Sequence, residues 1–173
     1  EQTIGLMVDI SRHVSEYVMD YRTGKMPAAR PGRQLKGSTL GIMGYGEIGQ
    51  YLSPLGLALG MNVLISDPFK KVEDPKLKQV DLPFLLKESD FVVCLVVANE
   101  KTENLMNEAA FAQMKKTAEF INMSHGNLVD EDWHGRGLGR YCLEQAIAFA
   151  PQIKVHTLLG FIFGHNVPSL ALF

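Results

Sequence analysis

The stretch Gly44-Tyr45-Gly46-Glu47-Ile48-Gly49 constrains this chain more than any other. It has the form G-x-G-x-x-G. A short apolar run over residues 40–43 leads into it and reads as a buried strand, and an apolar helical pattern follows it. A second strand, Asn62-Val63-Leu64-Ile65-Ser66, then ends at Asp67. Strand, glycine turn, helix, strand and acid, with the acid about 20 residues past the glycines, are the parts of a dinucleotide-binding βαβ unit.

Each part has a physical task. Gly44 lets the chain turn off the strand. Gly46 has no Cβ, so a pyrophosphate can approach the backbone. Gly49 lets the helix pack closely on the strand. The helix N-terminus offers free N–H groups and a partial positive charge to phosphates. Asp67 can accept hydrogen bonds from both ribose hydroxyls, and its charge repels a 2′-phosphate, which favours NAD over NADP. The expected fold is α/β: a Rossmann-type doubly wound parallel sheet, with an N-terminal connecting helix and a divergent C-terminal tail. FAD- and S-adenosylmethionine-binding domains share parts of the pattern and stay open at this point.

At 173 residues the chain suits one domain with a sizeable core. Its net charge of −2 gives no reason to expect nucleic acid or a charged membrane surface as partner. Cys94 and Cys142 are too few and too far apart for a metal or disulfide framework, so no metal is expected. No apolar run reaches the roughly 18 residues of a membrane span. The chain opens on Glu1-Gln2-Thr3, with no initiator Met and no signal peptide, which reads as a piece of a longer cytoplasmic protein.

Residues 2–22 read as one helix. Ile4, Met7, Val8, Val14, Tyr17, Val18 and Tyr21 recur at helical spacing, and Thr3 is placed to cap the start. Residues 23–38 form a linker punctuated by Gly24, Pro27, Pro31, Gly32 and Gly37. The helix after the glycines spans about residues 47–59, with Ile48, Leu52, Leu55 and Leu59 on its apolar face. Pro54 falls in its interior, at a cost of about 3 kcal/mol unless a kink accommodates it, and Gly60 is a natural stop. Val80 marks a short strand. Asp81 caps a short helix with Pro83 in its first turn and Phe84, Leu85 and Leu86 as apolar mass. The unbroken run Phe91-Val92-Val93-Cys94-Leu95-Val96-Val97 reads as a central strand buried on both faces, in which Cys94 is inert. Asn107 caps a helix to about Met114, with Ala110, Phe111 and Met114 inward. A strand over residues 118–122 leads to Met123-Ser124-His125-Gly126-Asn127, and Asp130 looks like a further cap. Residues 133–173 lose the pattern, and His134-Gly135-Arg136-Gly137-Leu138-Gly139-Arg140 reads as a solvated basic loop rather than a phosphate site.

Taken together, these segments resemble the NAD-binding domain of the D-isomer-specific 2-hydroxyacid dehydrogenases, the phosphoglycerate, glycerate, hydroxypyruvate, lactate and formate dehydrogenase group. Besides the glycine turn, the resemblance rests on Leu35-Lys36-Gly37, Asp67-Pro68, Glu88-Ser89-Asp90, Thr102-Glu103-Asn104 and Ile121-Asn122-Met123-Ser124-His125-Gly126-Asn127-Leu128-Val129-Asp130-Glu131. It covers about residues 1–132. It implies a connecting helix and linker over residues 1–36, an NAD-binding domain over 37–132 and a divergent end of that domain over 133–173. By position it implies that Glu47 and Ile48 cover the pyrophosphate. Asp67 holds the adenosine ribose and Val96 lies along the adenosine. Met123, Ser124 and His125 approach the nicotinamide. It further implies reversible oxidation of a small D-2-hydroxyacid to its 2-keto acid, substrate walls supplied by a separate domain, and a homodimer formed through this domain.

Two departures stand out. Where the family has an arginine that grips the substrate carboxylate, this chain has His125, which is shorter, lacks the bidentate fork and is partly charged near neutral pH. His125 is therefore the one catalytic candidate, as a hydrogen-bond donor. The family's downstream glutamate and Pro-His motif are not found, and neither His156 nor His165 follows a proline. A non-catalytic dinucleotide-binding fragment, or degenerate paralogue, is the alternative.

Overall fold

The computed structural model describes residues 1–130, and in them five parallel strands form one sheet. These are β1 (Thr39–Met43), β2 (Asn62–Ser66), β3 (Lys78–Gln79), β4 (Phe91–Cys94) and β5 (Glu119–Asn122). Around them lie the helices α1 (Gln2–Arg12), α2 (Val14–Arg22), α3 (Glu47–Ala58), α4 (Leu82–Glu88) and α5 (Glu108–Gln113), with a final 3-10 turn at Gly126–Leu128. The strand order is β3-β2-β1-β4-β5. The chain builds outward from β1 to β3, then returns to the other side of β1. That reversal makes the doubly wound Rossmann-type sheet expected from the sequence, and it opens a crevice at the C-terminal ends of β1 and β4.

The strands are apolar on both faces because helices cover both. On one face Leu40, Ile42, Val63, Ile65, Phe91 and Val93 pack with Met7 of α1 and Leu52 of α3. On the other, Met43, Leu64, Val92 and Cys94 pack with Leu85 and Leu86 of α4 and Ala110 of α5. The caps fall where expected. The Asp81 carboxylate accepts the Phe84 N–H at 2.8 Å, and Asn107 Oδ1 accepts the Ala110 N–H at 3.0 Å. Gly60, at φ +75°, ends α3: its N–H donates to the Leu57 carbonyl and that of Met61 to the Gly56 carbonyl.

Several expectations are corrected. The helix over residues 2–22 is two helices. His13, at φ 56° and ψ 34°, breaks it, and the Asp9 carboxylate accepts both the Ser15 N–H and its hydroxyl, so a side chain of α1 caps α2. Only α1 reaches the core. Val14, Val18 and Tyr21 are exposed and α2 buries no residue. Thr3 caps nothing; Glu1 is the N-cap and Thr3 is buried within α1.

The inward face of α3 is also different. It carries Gly49, Leu52, Ser53 and Gly56, whereas Ile48 and Leu59 are exposed. The helix lies so close to the sheet that a Cβ at Gly56 would stand 2.8 Å from Leu40 Cδ2. Small residues therefore define the buried side, and the large apolar ones flank it. Pro54 is exposed, α3 continues through it, and the Ser53 hydroxyl donates to the Gln50 carbonyl at 3.4 Å, replacing the N–H that proline lacks.

β4 stops at Cys94 because its neighbour β1 turns away at Gly44; Val97 is 77 % exposed. Phe84 adds less apolar mass than expected, being exposed on α4. The helix expected after Asp130, the basic loop over residues 134–140, His156 and His165 lie outside the described residues.

The N-terminal edge of the sheet is tied shut by side chains. Asp90 accepts the Thr39 N–H at 2.8 Å and the Lys115 ammonium at 3.0 Å. Arg33, from the linker, donates to the Thr117 carbonyl and stacks its guanidinium 4.4 Å over the Phe91 ring. Burial opposes ionisation of Asp90, but the Thr39 N–H, Lys115 and Arg33 together hold its carboxyl below the usual range.

Candidate functional site

The residues singled out in the sequence converge on the opposite, C-terminal edge. Gly44 follows β1, Asp67 follows β2, Val96 lies just beyond β4, and Met123, Ser124 and His125 follow β5. Parallel strands all point the same way, so residues scattered from 44 to 125 meet along one rim.

The glycine turn is built as each glycine requires. Gly44 sits at φ +94°, and a Cβ there would stand 3.0 Å from the Leu95 carbonyl oxygen. The turn is thus packed against the segment leading to Val96. A Cβ at Gly49 would run into the Gly44 carbonyl, so α3 can start this close to β1 only with glycine. Gly46 is different: nothing lies within 4 Å of where its Cβ would be. That open space, at the N-cap of α3 and with no side chain capping the helix, is what a bound pyrophosphate needs. Glu47 and Ile48 are exposed beside it, Ile48 by 61 %.

Asp67 is locked to this turn. Its Oδ2 accepts the Tyr45 N–H at 2.7 Å, and its Oδ1 accepts the N–H groups of Phe69 and Lys70 at 2.8 and 2.9 Å. Partial burial pulls its pKa upward, but these three N–H groups and the Lys70 charge leave it below the usual carboxylate range. An ionised acceptor therefore stands at the mouth of the glycine turn, with lone-pair capacity left on Oδ2 for a ribose hydroxyl. Beside it opens a cleft of about 400 Å³ lined by Tyr45, Gln50, Lys70, Lys71, Glu73 and Asp74. Tyr45, whose N–H joins the turn to Asp67, and the lysine pair are contributors that the sequence reading missed. The signal for Tyr45 is a backbone group, which no residue type reports.

On the far side, Met123 N–H and Ser124 Oγ both donate to the Cys94 carbonyl, at 3.0 and 3.4 Å, fastening this turn to β4. His125 is exposed at its tip. Burial pushes the Cys94 thiol up, against hydrogen bonds from Val96 and Ser124, so Cys94 stays a neutral core residue as expected. The fold does not bring His125 together with a carboxylate partner among the described residues. The His13–Glu16 pair, 3.5 Å apart, lies at the α1–α2 junction and not on a strand end. No group of three or more His, Cys, Asp or Glu side chains able to hold a metal occurs among the described residues. No described helix is long and apolar enough to cross a membrane.

The model of the D-isomer specific 2-hydroxyacid dehydrogenase NAD-binding domain matches residues 4–134. A hydroxypyruvate reductase of Thermotoga maritima is 36% identical over 133 residues, which are 76% of this chain and 44% of that protein. A D-3-phosphoglycerate dehydrogenase of Synechocystis is 31% identical over 136 residues, 76% of this chain and 24% of that protein. Among solved structures, a glyoxylate reductase from Paecilomyes thermophila superposes with a TM-score of 0.71 at 29% identity, covering 79% of this chain and 42% of that one. The apo D-lactate dehydrogenase of Escherichia coli gives 0.70 at 29% identity, covering 79% and 45%. The chain spans less than half the length of each of these relatives.

Proposed function

The chain belongs to the D-isomer specific 2-hydroxyacid dehydrogenase family through its NAD-binding domain, and from that premise we propose that it holds NAD(H) on the rim of β1, β2, β4 and β5 for hydride transfer between a small D-2-hydroxyacid and its 2-keto acid. In that reaction the hydroxyacid gives a hydride from C2 to NAD and its hydroxyl proton to a base. Residues 37–132 form the NAD-binding domain in this reading, after a connecting segment over 1–36. Gly44, Gly46 and Gly49 shape the pyrophosphate seat. Glu47 and Ile48 flank it, and the N–H groups of the first turn of α3 face it. Asp67 takes the adenosine ribose and Val96 lines the adenosine. Met123, Ser124 and His125 border the nicotinamide. His125 donates a hydrogen bond to the substrate, in place of the family's arginine. A cytoplasmic homodimer completes the reading, with the exposed Val14, Val18 and Tyr21 of α2 as the surface a second copy would cover.

One observation carries the cofactor part: an ionised Asp67 bonded to the turn N–H of Tyr45, next to the open space at Gly46. Calorimetric titration of the purified chain with NADH, and separately with NADPH, tests it. Saturable NADH binding is expected, weakened by Asp67→Ala and much weaker for NADPH, whose 2′-phosphate would face the Asp67 carboxylate. Asp67→Ala also frees three backbone N–H groups, so its fold is checked by thermal melting. A folded wild-type chain that binds neither nucleotide would sink the reading. A second reading, a dinucleotide-binding module without catalysis, is favoured by His125 standing where the family has arginine. Turnover of NADH with hydroxypyruvate or glyoxylate separates the two, and His125→Arg tests whether that position limits the rate.

A further inference from the structure

Asn122 is the last residue of β5, paired in register with Cys94. Its side chain folds back over the turn that follows. Oδ1 accepts the Ser124 N–H at 3.0 Å, and Nδ2 donates to the His125 carbonyl at 3.1 Å. A single planar amide thus spans the Met123-Ser124-His125 turn, using both its acceptor and its donor.

The rest of the segment is held from its two ends. At the β5 end, the Cys94 carbonyl takes the Met123 N–H. At the other end, the Met106 N–H donates to the Leu128 carbonyl at 2.9 Å, the Asp130 N–H returns to Met106 at 3.1 Å, and the Asn104 N–H reaches the Asn127 carbonyl at 3.0 Å. Between these anchors, the tip carrying the exposed His125 is braced by the Asn122 amide and by the Ser124 hydroxyl on the Cys94 carbonyl. Both Asn122 bonds together need a side chain that carries a donor as well as an acceptor. Aspartate can accept from Ser124 but cannot donate to His125; alanine does neither.

We propose that Asn122 is a positioning residue, whose amide fixes the turn of Met123, Ser124 and His125 against the nicotinamide half of the cofactor. This rests on the NAD(H) reading above and adds to it a residue outside the glycine turn and the ribose-binding acid. The pyrophosphate and adenosine contacts come from other strands. Loss of the Asn122 bonds therefore weakens only the half of the cofactor that carries the nicotinamide.

The test compares NADH with ADP-ribose, which lacks the nicotinamide ring, on the full chain, on Asn122→Ala and on Asn122→Asp. The expected result is that both variants lose about tenfold in NADH affinity, the scale of one or two hydrogen bonds, and keep ADP-ribose affinity within about twofold. A role in folding alone would weaken both ligands together, so an unchanged ratio of the two affinities in a folded variant overturns the proposal. If Asn122→Ala does not fold, Asn122→Asp decides, since it keeps the acceptor for Ser124. A wild-type chain that binds ADP-ribose and NADH equally well also overturns the proposal, while leaving the adenosine side of the site standing. One that binds neither removes the cofactor reading and this proposal with it.

Discussion

The two ends of the sheet use the same kinds of residue for opposite purposes. At the N-terminal edge, Asp90 accepts the Thr39 N–H, pairs with Lys115 and lies under Arg33, while the Phe91 ring is covered by a guanidinium. At the C-terminal edge, Asp67 also accepts backbone N–H groups, from Tyr45, Phe69 and Lys70, but beside it Gly46 faces empty space and Ile48 and Val97 are exposed. One aspartate seals an edge with partners the protein supplies. The other holds a turn open in a shape that leaves room for a ligand. An aspartate bonded to backbone N–H groups is thus not in itself a sign of function; what stands next to it decides.

Four measurements would break or sharpen this contrast. The largest effect is expected at Gly49→Ala, where the new Cβ meets the Gly44 carbonyl, backbone against backbone. Stability should fall by about 3 kcal/mol in urea denaturation, with NADH binding lost as well, because the same contact shapes the turn. A wild-type denaturation midpoint would mean that α3 shifts without cost.

Next comes Asp90→Ala. It orphans the Thr39 N–H and frees Lys115, so stability should drop by about 2 kcal/mol, yet NADH affinity should hold. If affinity fell in step with stability, the two edges would not be separable.

Acid titration follows. Asp67 and Asp90 both have folded pKa values below their ordinary ones. The folded state therefore binds fewer protons than the unfolded state in the acid range, and stability rises with pH there. Their contribution is full above the ordinary carboxylate pKa of about 4 and is lost as pH falls below it. Urea midpoints measured from about pH 5 to pH 3 should decline for the wild type and decline less steeply for Asp90→Ala; parallel curves would assign the acid sensitivity to other groups.

The smallest effect is expected at Lys115→Ala. Its side chain is 37% exposed and its ammonium pairs with Asp90 at 3.0 Å, and such a pair contributes about 1 kcal/mol at most. A loss as large as that of Asp90→Ala would put the weight of the cluster on the ion pair and not on the Thr39 N–H.

Much of this was legible in the residues. The glycine spacing and Asp67 announced the βαβ unit. Asp81 and Asn107 announced their helices, and the parallel sheet follows from apolar strands separated by helices. The misread parts share a cause. Helical spacing ran on through His13, so two helices looked like one; the break depends on Asp9 reaching Ser15 across a left-handed residue. On α3 the bulky apolar residues suggested the inner face, but close packing turned Gly49 and Gly56 inward. Asn122 was legible as part of a motif, and its side-chain turn could have been suspected from an asparagine two residues before a serine.

The sequence by itself determined the glycine turn between two strands, the caps at Asp81 and Asn107 and which residues follow the strand ends, because these depend on local pattern and on the shared direction of parallel strands. Tertiary structure alone decided that Tyr45 N–H meets Asp67, that Gly44 rests on the Leu95 carbonyl and that the Ser124 hydroxyl reaches the Cys94 carbonyl. Those are backbone groups, identical in every residue. Only the approach of one segment to another, to within a hydrogen bond or a missing Cβ, gives them a role.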